Sequence, residues 1–275
     1  MTRTETLRTA LDDLYARYNR RAFAHPDPVE LLYPYDDPRD REIAALVASA
    51  LAYGRVASIL ASAGSVLEKM NPSPRRFLLD STDESLSRVF AAFRHRFARA
   101  SHLVALLSTA RTVLIEHGSL ENAFAAECDA ASDTVEPALR AFLEKLSRAS
   151  SRAGHLLPSP QTTSACKRMH LFLRWLSRRD QIDPGGWNAV PPAKLIVPLD
   201  THMHRIASAL GLTARKTPDA RTAREITCAF RRLVPEDPVR YDFCLTRLGI
   251  RRDADLNAFL ARCKADSPSE GNIHA

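Results

Sequence analysis

The 275-residue chain has no apolar run long enough to cross a bilayer, and no apolar segment follows its first residues, Met1-Thr2-Arg3-Thr4-Glu5. Neither a membrane span nor a secretory leader is expected. Cysteines are few and scattered: Cys128, Cys166, Cys228, Cys244 and Cys263. An odd number without a CxxC pair or finger-like spacing argues against a disulfide framework, a structural zinc and an iron–sulfur cluster. Reduced thiols in a cytoplasmic protein are the expectation. No stretch alternates apolar and polar residues convincingly enough to predict a strand, and no internal repeat is visible.

Helical periodicity and positive charge are what the chain does have. With 45% hydrophobic and 26% charged residues it has the composition of an ordinary globular protein, long enough to bury a good core. Its net charge of +7 favours a polyanionic partner.

Leu7, Leu11, Leu14, Tyr15 and Tyr18 mark a first helix. Asp37-Pro38 reads as an N-cap and first helical residue, launching a buried helix through Ile43, Leu46, Val47 and Leu51. Tyr53-Gly54-Arg55 breaks it. Further helices are predicted over 56–70, 76–79, 86–93, 103–117, 120–126, 135–146, 165–178, 201–210, 221–233 and 239–248, with a last one to about 263. The expected fold is all-α: one two-lobed unit over 1–266, with a disordered tail at 267–275. A central lobe would span about 40–160; the first helix and 161–266 would form the other.

Two residues suggest chemistry. Lys167 enters an otherwise apolar helix, with Arg168 beside it and Met169, Leu171 and Phe172 around its turn. Asp200 follows the short apolar run Val197-Pro198-Leu199 and opens a helix to Leu210, with Gly211 past its end. An amine can attack the sugar carbon of a nucleoside, and a carboxylate stabilises the cation that forms there. An N-cap position keeps the Asp200 carboxylate ionised. Each residue also has a plain structural reading, Asp200 as a cap and Lys167 as a snorkelling surface lysine.

Around this pair, Asp200-Thr201-His202, Arg205, Leu210-Gly211-Leu212, Leu233-Val234-Pro235-Glu236 and Leu245-Thr246-Arg247-Leu248-Gly249 resemble motifs of the helix-hairpin-helix glycosylases of the endonuclease III superfamily. Residues 43–60 resemble that family's early helix pair, whose junction, here Leu51-Ala52-Tyr53, inserts a wedge into DNA. The resemblance spans roughly 40–250 as scattered short motifs. The whole chain also looks like a bacterial family of unknown function that would share this fold. Two departures stand out. The hairpin before the lysine reads Leu157-Pro158-Ser159-Pro160-Gln161-Thr162-Thr163 and lacks the two glycines that let backbone N–H groups approach a phosphate. The lysine and aspartate lie 33 positions apart, a long interval like that of the archaeal 8-oxoguanine glycosylase branch.

The resemblance implies a DNA glycosylase and AP lyase of base-excision repair. Lys167 and Asp200 would be catalytic, with 8-oxoguanine as the analogous lesion and double-stranded DNA with a damaged base as the partner of a monomer needing no cofactor. Candidate DNA contacts are Leu51, Tyr53, Arg55, Arg94, Arg96, Arg168, His202 and Arg205. Trp187, after Pro184-Gly185-Gly186, is a candidate to stack on a flipped base, whereas Trp175 reads as core. Phe93-Arg94-His95-Arg96-Phe97 either lines a DNA backbone groove or ends a helix with both phenylalanines packed inward. Arg174, Arg178 and Arg179 are phosphate contacts or a charged helix tail. Two other function classes stay open: a non-catalytic helical DNA-binding protein and a metal-dependent hydrolase using His202 and His204. Against the latter, the two histidines point about 200° apart on a helix.

Overall fold

The computed structural model describes residues 2–149, 151–158, 163–250 and 255–264. The expected tail at 267–275 and the hairpin positions 159–162 lie outside the described residues. The fold is all-α. In order, the helices are α1 (Arg3–Tyr18), α2 (Pro38–Ala50), α3 (Val56–Glu68), α4 (Pro74–Leu79), α5 (Asp83–Val89), α6 (Ala100–His117), α7 (Leu120–Ala125) and α8 (Glu136–Ala149). They continue with α9 (Lys167–Ser177), α10 (Thr201–Ala209), α11 (Ala220–Leu233), α12 (Asp242–Ile250) and α13 (Leu256–Lys264). Among the described residues no helix is long and apolar enough to cross a membrane.

The helix starts are chemically legible. Asp37 accepts from the Arg39 N–H at 2.8 Å with Pro38 in the first turn, as the sequence predicts. Thr2 and Glu5 form a reciprocal capping box on α1. α6 ends at Gly118, whose φ of 78° is the left-handed region glycine enters without penalty. α9 begins two residues later than the periodicity predicts, because Cys166 takes a left-handed φ of 46°. That conformation costs a non-glycine residue roughly 1–2 kcal/mol.

α2 is the central helix, and every residue from Ile43 to Ala48 is fully buried. It packs against α3, α4, the short 3-10 turn Pro28–Leu32 and α9. α6 gathers α4, α5, α7, α8 and the turn Ser151–Leu156. α1 packs on α12 and α13, and α12 on α10. One continuous apolar cluster runs through all three groups. Each large side chain buried there contributes roughly 1.5–3 kcal/mol.

Residues 94–99 depart from the expectation of helices only. α5 stops at Val89, and Arg94–His95 (β1) pairs antiparallel with Ala98–Arg99 (β2). Arg96 and Phe97 form the two-residue loop, with Arg96 at a φ of 52°. Positive φ at the first loop position is what a tight hairpin requires. Buried His95 anchors it: Nδ1 meets Ser62 Oγ at 3.0 Å and Nε2 meets the Tyr53 carbonyl at 3.1 Å.

Candidate active site

Lys167 is the first residue of α9, and Asp200 is the N-cap of α10. The fold brings them together: Lys167 Nζ donates to Asp200 Oδ2 at 2.8 Å. The other carboxylate oxygen, Oδ1, accepts from the Met203 N–H at 2.8 Å. Asp200 is therefore both a cap and an ion-pair partner. Burial pushes its carboxyl up, but the Lys167 ammonium and the Met203 N–H outweigh that and hold it below the usual carboxylate range. Each side chain keeps some solvent contact, 36% exposure for Lys167 and 24% for Asp200.

The pair sits in the wall of a cavity of about 860 Å³. Tyr53, Gly54, Arg168, Trp175, Asp242 and Phe243 line it as well. The Trp175 indole Nε1 is buried and has no hydrogen-bond partner. Burial raises the Asp242 carboxyl to about 6 against the pull of Arg174, with Asp200 pushing the same way. The cavity thus combines an amine, an ionised carboxylate, a carboxyl that holds its proton more tightly than usual, and aromatic walls.

Of the candidate DNA contacts, Tyr53, Arg168 and His202 line this cavity. The Tyr53 hydroxyl donates to the His95 carbonyl at 3.1 Å, and His155 Nε2 lies 2.9 Å from it. Arg55, Arg94, Arg96 and Arg205 are exposed outside the cavity lining. Leu51 is a correction: it is 0% exposed at the end of α2, where the apolar interior takes its side chain, so it cannot act as a wedge. Arg168 is also less available than expected, because its guanidinium donates to the carbonyls of Ala50 and His155. It ties the end of α2 to the turn Ser151–Leu156.

Trp187 is the second correction. It is 3% exposed, packed between the rings of Phe124 and Phe172, and donates its Nε1–H to Glu42 at 3.0 Å. Glu42 is fully buried on α2 and also accepts from the backbone N–H groups of Leu120 and Glu121, so it caps α7 from a distance. A buried carboxylate needed a donor inside the core, and Trp187 supplies one. The tryptophan at the cavity is instead Trp175.

Arg174 and Arg178 are buried, not a charged tail facing solvent. Arg174 pairs with Asp183 and Asp242; Arg178 pairs with Asp180, Asp183 and Asp237. Arg174 and Asp242 both line the cavity and connect it to this network. Its one signal in the sequence is the spacing of Arg174 and Arg178, four apart on an apolar helix. The two histidines serve different partners: His202 faces the cavity, while His204 Nε2 meets the Arg215 carbonyl at 2.8 Å. Among the described residues no group of three or more His, Cys, Asp or Glu side chains is arranged to hold a metal ion.

Residues 27–251 match the family described as "Protein of unknown function (DUF2400)". The chain belongs to that family. No curated protein and no solved structure matches it.

Proposed function

We propose that this chain is a helix-hairpin-helix type DNA glycosylase with AP lyase activity, working on a damaged base in duplex DNA. The observation that carries this reading is the 2.8 Å contact between Lys167 Nζ and Asp200 Oδ2, formed across 33 residues in the wall of a cavity. A cavity of about 860 Å³ lies within the range of small-molecule sites and admits a purine base with its sugar. Oxidised purine, 8-oxoguanine first, is the lesion that the resemblance favours. The spread of five unpaired cysteines suits a reducing, cytoplasmic setting.

In this mechanism the departing base leaves with the electron pair of its bond to C1′ and takes up a proton. The Asp200 carboxylate faces the cation that develops on the sugar. Lys167 Nζ sheds a proton, for which Asp200 Oδ2 is the base within reach, and its lone pair forms the new bond to C1′. Ring opening, with a proton passing to the ring oxygen, leaves a Schiff base that permits strand cleavage.

Borohydride trapping on a panel of damaged-base duplexes tests this. A covalent complex is expected with at least one lesion, and Lys167→Gln is expected to abolish it while the thermal midpoint stays within a few degrees. If every lesion fails to trap, or the glutamine variant traps as well as the native chain, the reading is wrong.

A further inference from the structure

The hairpin 94–99 has no role in the chemistry just described, yet its exposure is unusual. Phe97, at its tip, is 73% exposed. A side chain this apolar would ordinarily be folded inward, and the neighbouring Phe93 does pack against the core. The loop geometry holds Phe97 out. Arg96 takes the left-handed position, and buried His95 locks the strand beneath it through Ser62 and Tyr53. The projection is therefore set by the rigid body of the protein.

The surroundings are of one sign. Arg94, Arg96 and Arg99 are exposed on the hairpin, and Arg55 is exposed at the start of α3. Among the described residues none of these four forms an ion pair, and the Arg96 guanidinium lies 5.6 Å from the Phe97 ring centre. No aspartate or glutamate occurs between Glu84 and Glu116. An exposed aromatic ring on a hairpin that carries arginines outside any ion pair suits bases and phosphates better than an apolar protein face, because each arginine left unneutralised can replace a counterion on a nucleic-acid backbone.

The hairpin is also continuous with the cavity. Tyr53, which lines the cavity, bonds to the His95 carbonyl. Arg96 lies on the bare Cα of Gly54, another lining residue, where an added Cβ would stand 2.7 Å from Arg96 Cδ. A duplex seated on the hairpin would thus reach the mouth of the cavity.

We propose that the 94–99 hairpin is a duplex DNA contact in which Phe97 enters the base stack while Arg94, Arg96 and Arg99 hold the flanking phosphates. This rests on the nucleic-acid reading of the neighbouring cavity, though not on its chemistry. Entry of Phe97 occupies the space that a displaced nucleotide leaves, and so favours that nucleotide's stay in the cavity.

The test uses the full chain and a short duplex with a tetrahydrofuran abasic analogue and 2-aminopurine opposite it. Binding is followed by anisotropy and unstacking by 2-aminopurine emission. The native chain is expected to bind and raise the emission. Phe97→Ala should retain its thermal midpoint, lose the rise and bind about tenfold or more weakly, while Phe97→Trp restores both signals. Arg94→Gln should weaken binding on every sequence and reduce the salt slope by about one. Native behaviour of Phe97→Ala overturns the proposal, as does failure of the native chain to bind the duplex. The abasic analogue offers no base to excise. A chain that traps on no lesion but gives these signals keeps the hairpin contact and loses the glycosylase chemistry, and the converse result is equally clear.

Discussion

Replacing Asp200 by asparagine removes one charge and keeps one hydrogen bond. The retained bond is the cap, Oδ1 to the Met203 N–H at 2.8 Å, which an asparagine oxygen makes equally well. The lost interaction is the charge-assisted contact from Lys167 Nζ, also 2.8 Å. Its worth follows from exposure. Fully exposed pairs contribute about 0.2–1 kcal/mol, whereas breaking a fully buried pair costs about 3–5 kcal/mol. At 36% and 24% exposure this pair lies toward the exposed limit, so Asp200→Asn should cost about 1 kcal/mol, or roughly 2–4 °C in Tm for a chain of this size. Asp200→Ala also removes the cap and should cost about 1 kcal/mol more. The native advantage over the asparagine variant should be fully present above the ordinary carboxyl value of 3.8 and fade as pH falls below it, because the folded-state value is depressed. Activity should respond far more strongly. Losing a preorganised negative charge beside the sugar cation should lower single-turnover base excision by about 10²–10³. The assay is borohydride trapping and strand cleavage on whichever lesion the native chain cleaves, alongside thermal melts of all three proteins. Native activity in Asp200→Asn would refute the catalytic role. Equal Tm losses in the asparagine and alanine variants would refute the cap.

Two predictions address the interior. Arg174→Met leaves the buried carboxylates of Asp183 and Asp242 without their shared guanidinium, and should cost about 3–5 kcal/mol in urea unfolding at neutral pH. Because the Asp242 carboxyl already binds its proton up to about 6, the loss should be smaller near pH 5 than near pH 8; a loss independent of pH would contradict the burial of that charge. Trp187→Phe removes one of the three donors to Glu42 and should cost about 1.5–3 kcal/mol, while trapping per folded molecule stays unchanged. A selective loss of lesion trapping would return Trp187 to the base-binding role first expected of it.

Much of the local structure was readable from neighbours along the chain. The caps at Asp37 and Asp200, the helix beginning at Thr201 and the turn at Gly211 each depend on contacts within a few residues, so residue type alone specified them. The hairpin at 94–99 was not readable in this way, since two-residue strands carry too little alternation to register. Phe97 and Phe93 are of the same type and sit four positions apart, yet one is exposed and the other packs inward. Arg96's left-handed turn and the anchoring of His95 by Ser62 and Tyr53 decide between them.

The sequence by itself determined an all-α chain of basic character, with a lysine and an aspartate each at a helix start. Those properties arise from periodicity, charge count and capping, which act over short separations. Only the tertiary structure decided that Lys167 meets Asp200, that Leu51 and Trp187 belong to the interior, and that Arg174 serves Asp183 and Asp242 instead of a phosphate. The physical reason is burial. Once α2 and α9 pack, each polar group removed from water must find a partner among residues distant in sequence, and that choice depends on the whole arrangement of helices.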